Sequence, residues 1–196
     1  VTNNGILNIT GSAVRSWNSN SATFVNNGII TNSNTGTTTF VANTLTNSTT
    51  GTIRGIGTIV NDAPVFNSNG VIAPGLSPGL LALNTAQPLS ANSTLQIELL
   101  NGSGAGTGHD QLIRNGNITL AGTLTVTEIG TVPNGTYTIV NLTAGNISGS
   151  FTTTNLPAGY ILQVNAGNVL LIKDAVLPVR LISFTATKQN DKVILN

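Results

Sequence analysis

Residues Asn69 to Leu83 read NGVIAPGLSPGLLAL, in which two Pro-Gly pairs, Pro74-Gly75 and Pro78-Gly79, stand four residues apart between short apolar runs. Proline pre-sets φ at the second residue of a turn and glycine accepts the positive φ that follows, so each pair is predicted to be a structural corner. Two corners this close suit a chain wound, in short straight segments, around a common core.

Upstream of the corners a phrase recurs. Asn3-Asn4-Gly5-Ile6-Leu7 and Asn26-Asn27-Gly28-Ile29-Ile30 are followed by the looser Thr49-Thr50-Gly51-Thr52-Ile53 and Asn69-Gly70-Val71-Ile72, with the glycines spaced by 23, 23 and 19 residues. Repeats near this length indicate a solenoid. Ala22-Thr23-Phe24-Val25 and Thr38-Thr39-Phe40-Val41 are β-prone runs bounded by Asn, Ser and Gly. No window shows helical periodicity, so the chain is read as all-β, with Ile, Val, Leu and Phe stacked inside and Thr, Asn and Ser outside.

Downstream the spacing lengthens. Leu95, Ile97 and Leu99 alternate with Gln96 and Glu98, and a glycine-rich loop runs from Asn101 to Gly108. Strands are expected at Ile118 to Leu120, Thr123 to Thr127, Tyr137 to Val140, Tyr160 to Val164 and Val169 to Ile172, separated by Asn-Gly or Ala-Gly turns. The expected division is residues 1–83 as regular repeats, 84–175 as closing rungs of the same solenoid and 176–196 as a junction or extended strand.

Composition narrows the function classes. Of 196 residues, 39% are apolar, enough for a core, but only 7% are charged, and the net charge is +1. That excludes disorder driven by charge and removes the electrostatic case for nucleic acid or an anionic membrane. Stacked parallel rungs give a reason for such a surface: a charge repeated about every 4.8 Å would face copies of itself, whereas Asn and Thr hydrogen-bond along the stack. With no cysteine, thiolate metal sites and disulfides are absent. No apolar run approaches the ~20 residues of a membrane helix. No signal peptide is visible and Val1 opens within a repeat, so a mature product or an excerpt is expected.

The order of Gly-Val-Ile-Ala-Pro-Gly-Leu-Ser-Pro-Gly from Gly70, Leu95-Gln-Ile-Glu-Leu, Gly106-Thr-Gly-His-Asp-Gln-Leu, Leu120-Ala-Gly-Thr-Leu, Thr143-Ala-Gly-Asn-Ile-Ser-Gly-Ser-Phe and Leu156-Pro-Ala-Gly-Tyr resembles the autotransporter-associated type of β-strand repeat. The likeness covers most of residues 45 to 172 and implies a right-handed parallel β-helix from a bacterial surface or secreted protein. His109 stands where that pattern commonly has an aromatic residue. The segment from Val176 to Lys188, VLPVRLISFTATK, resembles the junction that precedes a type IX secretion domain in Bacteroidota proteins. Three of the seven basic residues, Arg180, Lys188 and Lys192, lie in this last part. Leu181, Ser183 and Thr185 alternate with Ile182, Phe184 and Ala186, so this tail is read as an assembly strand that adds to a neighbouring subunit.

The chemical motifs are weak. Gly75-Leu76-Ser77-Pro78-Gly79 matches G-x-S-x-G, but the residue after the serine of a nucleophile elbow donates its N–H to the oxyanion hole, and Pro78 has none. His109-Asp110 holds the one histidine, too little for a triad or a zinc site, and the glycines at 102, 104, 106 and 108 miss the phosphate-binding spacing. The six acids are scattered, with no two within ten residues of each other, so neither calcium nor paired-carboxylate catalysis is expected. Trp17 beside Arg15 is read as a rung or end-cap residue rather than a sugar platform. Thr123, Thr125 and Thr127 form one T-x-T row, the pattern that ice-binding solenoids repeat. Eight N-x-S/T triplets match chance in so Asn- and Thr-rich a chain. The resulting expectation is a noncatalytic, extracellular or cell-surface structural or adhesive solenoid without cofactor, associating with itself or with neighbouring domains. A glycan-binding or polysaccharide-degrading β-helix is the alternative and ice binding a lesser one.

Overall fold

The computed structural model describes residues 1–18, 22–61, 65–84, 87–174, 186–189 and 192–195. Among them every regular element is a β-strand. The first turn of the coil comprises β1 (Thr2–Asn3), β2 (Ile6–Gly11) and β3 (Arg15–Asn18), and the second β4 (Thr23–Asn26), β5 (Ile29–Asn34) and β6 (Thr37–Val41). The third has β7 (Thr44–Asn47), β8 (Thr52–Gly55) and β9 (Gly57–Asn61), and the fourth β10 (Val65–Ser68), β11 (Val71–Pro74) and β12 (Leu80–Asn84). The fifth keeps β13 (Thr94–Leu99) and β14 (Gln111–Asn115), and the sixth has β15 (Ile118–Leu120), β16 (Thr123–Glu128) and β17 (Gly135–Ala144). The last turn holds β18 (Ile147–Gly149), β19 (Thr153–Asn155), β20 (Tyr160–Val164) and β21 (Asn168–Lys173).

These strands stack into a parallel β-helix. A first sheet runs β1-β4-β7-β10, a second β2-β5-β8-β11-β13-β16-β19 and a third β3-β6-β9-β12-β14-β17-β21-β20, while β15 and β18 pair beyond the first sheet. The inner face of the second sheet is one apolar column: Leu7, Ile30, Ile53, Ile72, Leu95 and Leu124 lie in register from turn to turn. Burying each such side chain contributes roughly 1.5–3 kcal/mol. Each glycine of the repeated phrase lies where the first sheet bends into the second. A Cβ on Gly28 would lie 2.1 Å from the Gly5 carbonyl oxygen, and one on Gly70 2.2 Å from that of Gly51, so the spacing seen in the sequence is the spacing of a contact only glycine permits.

Beside these glycines runs an asparagine ladder. Asn3, Asn26 and Asn47 occupy one register, with Asn3 Nδ2 donating to Asn26 Oδ1 and Asn26 Nδ2 to Asn47 Oδ1, each at 2.8 Å. The same amides donate to the carbonyls of Ile29, Thr52 and Val71. Each asparagine therefore joins its own turn to the next and satisfies the backbone at the bend. The next rung carries Ser68 in this register; its buried hydroxyl has no partner among the described residues, and the ladder stops.

Trp17 lies in register with Phe40 on the third sheet and packs edge-on to Phe24, with ring centroids 6.1 Å apart. It takes the inner-column position of Phe40 in the first described turn while remaining 40% exposed. Parallel winding does not continue to residue 175. β21 is antiparallel to both β17 and β20, because the three-residue connection between β20 and β21, Asn165 to Gly167, closed by a 2.9 Å bond from Asn165 N–H to the Asn168 carbonyl, is too short for a parallel crossover. The sixth and last turns are joined at one side by Glu128, whose carboxylate accepts from Lys173 Nζ and from the Tyr160 hydroxyl, both at 2.5 Å. Lys173 and then Tyr160 hold the Glu128 carboxyl below its usual range. β22 (Ala186–Gln189) and β23 (Lys192–Leu195) pair antiparallel. Of the assembly strand read from the sequence, Leu181, Ile182, Ser183, Phe184 and Thr185 lie outside the described residues. Ala186 opens β22, whose described partner is β23.

Candidate functional site

The two Pro-Gly pairs occupy the bend from β11 to β12 and differ from each other. Gly75 has φ +95, as a corner glycine should, whereas the positive φ of the second pair falls on Ser77, at +88, ahead of a cis Ser77-Pro78 peptide. Gly79 is needed for a different reason: a Cβ there would lie 2.6 Å from the Gly75 Cα and 2.7 Å from the Ile56 side chain.

A side chain from the next turn holds this bend. Asp110, only 2% exposed, accepts from Gly79 N–H on Oδ1 and from Glu98 N–H on Oδ2, both at 2.8 Å. Its own N–H donates to the Glu98 carbonyl at 2.9 Å. β11 turns away from the second sheet at Pro74, so Glu98 in β13 has no strand beside it on that side. The carboxylate of Asp110 supplies the acceptor that a continuing strand would have offered. Burial pushes the Asp110 carboxyl up to about 7, opposed by the two N–H donors and assisted by the neighbouring Glu98 charge.

Outside this staple lies a cleft of about 430 Å³, lined by Arg54, Ala73, Leu76, Ser77, Gln96 and Glu98 among others. Its cause is one small side chain. Arg54 pairs with Ala73, and the β11–β13 register continues that outward row to Gln96. Ala73 thus leaves a notch between two long polar side chains, and the Pro74–Gly79 bend forms its wall. Arg54 donates through Nε to Thr31 Oγ1 at 3.1 Å. Its terminal nitrogens, the Gln96 amide and the Glu98 carboxylate meet no hydrogen-bonding partner among the described residues.

The fold brings together two of the acids that are scattered in the sequence: Glu98 and Asp110 share this site with a basic residue, Arg54. Asp62 and Asp191 lie outside the described residues. Ser77 lines the cleft, but the one histidine is engaged elsewhere. His109 is buried, its Nε2 donates to the Thr138 carbonyl at 3.1 Å, and its ring packs edge-on to Tyr137 at 5.4 Å. That leaves Nδ1 as a buried acceptor without a partner among the described residues, and burial lowers the pKa of the ring. The glycine-rich loop folds back on itself: Gly108 N–H donates to the Gly104 carbonyl at 2.6 Å, and Gly104 and Gly106 take positive φ. The Thr123, Thr125, Thr127 row faces outward but is flanked by Thr94, Gln96 and Glu98 on one side and by Thr153 and Asn155 on the other, so the hydroxyl array is not repeated. Among the described residues no group of three or more His, Asp or Glu side chains is placed to hold a metal ion, and no helix is long and apolar enough to cross a membrane. No family model matches the chain, and no curated protein matches it.

Proposed function

We propose that this chain is a noncatalytic structural or adhesive segment of a bacterial extracellular or cell-surface protein. The observation that carries this reading is the use made of its buried reactive groups. Both oxygens of Asp110 accept backbone N–H groups and His109 donates to a backbone carbonyl, so each is committed to holding adjacent turns together. A general acid or base must reach a substrate proton, and a carboxylate occupied on both oxygens is poorly placed to do so. The outer faces support the same reading, offering rows of uncharged hydrogen-bonding side chains such as Thr94, Thr123 and Thr153 at the fixed spacing of stacked strands. The resemblance to autotransporter-type repeats and to a type IX secretion junction supports a location outside the cell. A depolymerisation screen on plant, algal and bacterial polysaccharides tests the reading. No shortening of any polymer is the expected result, and turnover abolished by Glu98→Gln would overturn it.

A further inference from the structure

We propose that the notch over Ala73 binds one neutral sugar unit of a glycan chain through Arg54, Gln96 and Glu98. This rests on the adhesive reading above and gives it a site and a ligand class. Stacked strands repeat about every 4.8 Å, so Arg54 and Gln96, two rungs apart, stand about 10 Å from each other with the low Ala73 between them. A single ring fits over Ala73 with long polar side chains at both ends. The chemistry of those side chains sets the class. The Arg54 guanidinium bonds Thr31 through Nε and has its terminal N–H groups left to donate to a ligand; Gln96 offers a donor and an acceptor, and Glu98 offers acceptors only. These planar groups suit pairs of adjacent hydroxyls, which both donate and accept.

The charges of Arg54 and Glu98 cancel across the notch. An anionic sugar would gain from Arg54 and lose to Glu98, with Asp110 behind it, so a neutral one is preferred. Pro74, Ala73 and the exposed Leu76 give the C–H face of a sugar ring an apolar wall. Ser77, held at φ +88, adds a hydroxyl at the rim, and backbone held in a sparsely populated conformation concentrates at ligand sites.

The experiment is an amide NMR titration of the 196-residue chain with cellohexaose, mannohexaose and xylohexaose, with hexagalacturonate as the anionic comparison and the sugar length analysed afterwards. At least one neutral hexamer is expected to shift the amides of Ala73, Gln96 and Glu98 in a saturable way. Arg54→Ala and Glu98→Gln are each expected to weaken that binding roughly tenfold while leaving the remaining amide spectrum in place. The site is overturned if no neutral hexamer moves those amides, if the shifts map to another face, or if only hexagalacturonate binds. If a hexamer binds there and is also shortened, the site stands and the noncatalytic reading falls.

Discussion

The turns before the Pro74–Gly79 bend and those after it are held together in different ways. Up to the fourth turn, backbone bonds recur at each bend from the first sheet into the second: Ile29, Thr52 and Val71 N–H groups donate to Gly5, Gly28 and Gly51, with the Asn3, Asn26 and Asn47 amides alongside. After it, the chain departs from its period, and single side chains replace lost backbone partners. Asp110 takes the place of a strand edge beside Glu98. Where the first sheet is interrupted, the Gln87 amide donates to the Thr119 carbonyl at 2.7 Å and accepts from its N–H at 3.4 Å, as a strand residue would, while the Ser90 hydroxyl donates to the Ser68 carbonyl on the other side. A solenoid can thus carry longer turns provided each interrupted pairing finds a polar substitute.

Gly75→Ala should break the second region most severely. The new Cβ would lie 2.2 Å from Asp110 Oδ1, at a φ of +95 that alanine resists, so the bend and its staple would have to separate. A loss of about 4 kcal/mol in urea unfolding is expected. A loss below about 1 kcal/mol would mean the bend is not held by Asp110.

Asp110 itself gives the comparison a pH signature. Its folded pKa, about 7, lies above the ordinary 3.8, so the folded state binds more protons between these values. Stability from this group is therefore fully present below about pH 4 and is lost as pH rises through about 7, by roughly 4 kcal/mol. His109 acts in the opposite sense. Its pKa is lowered from 6.5, so its contribution is present above 6.5 and diminishes as pH falls below it. Urea midpoints at pH 4 and 7.5 for the parent and for Asp110→Asn separate the two. The variant should lack the fall in stability between the two pH values, because an amide does not titrate in this range. A parallel fall in both proteins would assign it to another group.

Much of the first region was legible in the sequence, and less of the second, for a physical reason. Gly5, Gly28, Gly51 and Gly70 mark bends because the bends recur, and the period writes the contact into the sequence. The all-β parallel coil follows from that spacing and from the apolar column through Ile30, Ile53 and Ile72. The Asp110–Gly79 bond joins groups 31 residues apart that occur together once, so no period announces it. A signal was present all the same: an acid in a run without other acids, opening the strand that stacks on the one after the double bend. The notch was less visible still, since it depends on Ala73 falling between Arg54 and Gln96 across three strands. The antiparallel hairpin was legible as a turn at Asn165–Asn168 but not as a change in strand direction.

In the regular region, Asn26→Ala tests the ladder at its centre. The substitution removes the acceptor of Asn3 Nδ2 and the donor to both Asn47 Oδ1 and the Thr52 carbonyl, where Asn26 is fully buried. Leaving two buried acceptors unmatched should cost about 2–3 kcal/mol, less than Gly75→Ala because no atoms collide. Protection of the Ile29 and Thr52 amides from hydrogen exchange should fall with it, since those bonds share the bend. Loss of stability without loss of protection would show that the ladder does not support the bend.

The smallest effect is expected at Ser68, and its sign is the informative part. Ser68 stands in the register of Asn47, is 1% exposed, and has a hydroxyl with no hydrogen-bonding partner among the described residues. Its backbone carbonyl, the acceptor for Ser90, is untouched by a change of side chain. Ser68→Ala removes a buried polar atom that receives nothing for its lost hydration, so the variant should equal the parent or exceed it by up to about 1 kcal/mol. The same change of hydrogen bonding one rung earlier, Asn47→Ala, should be destabilising, because Asn47 is bonded on both sides of its amide. A destabilised Ser68→Ala would place Ser68 within the ladder and move the boundary between the two regions one turn further along the chain.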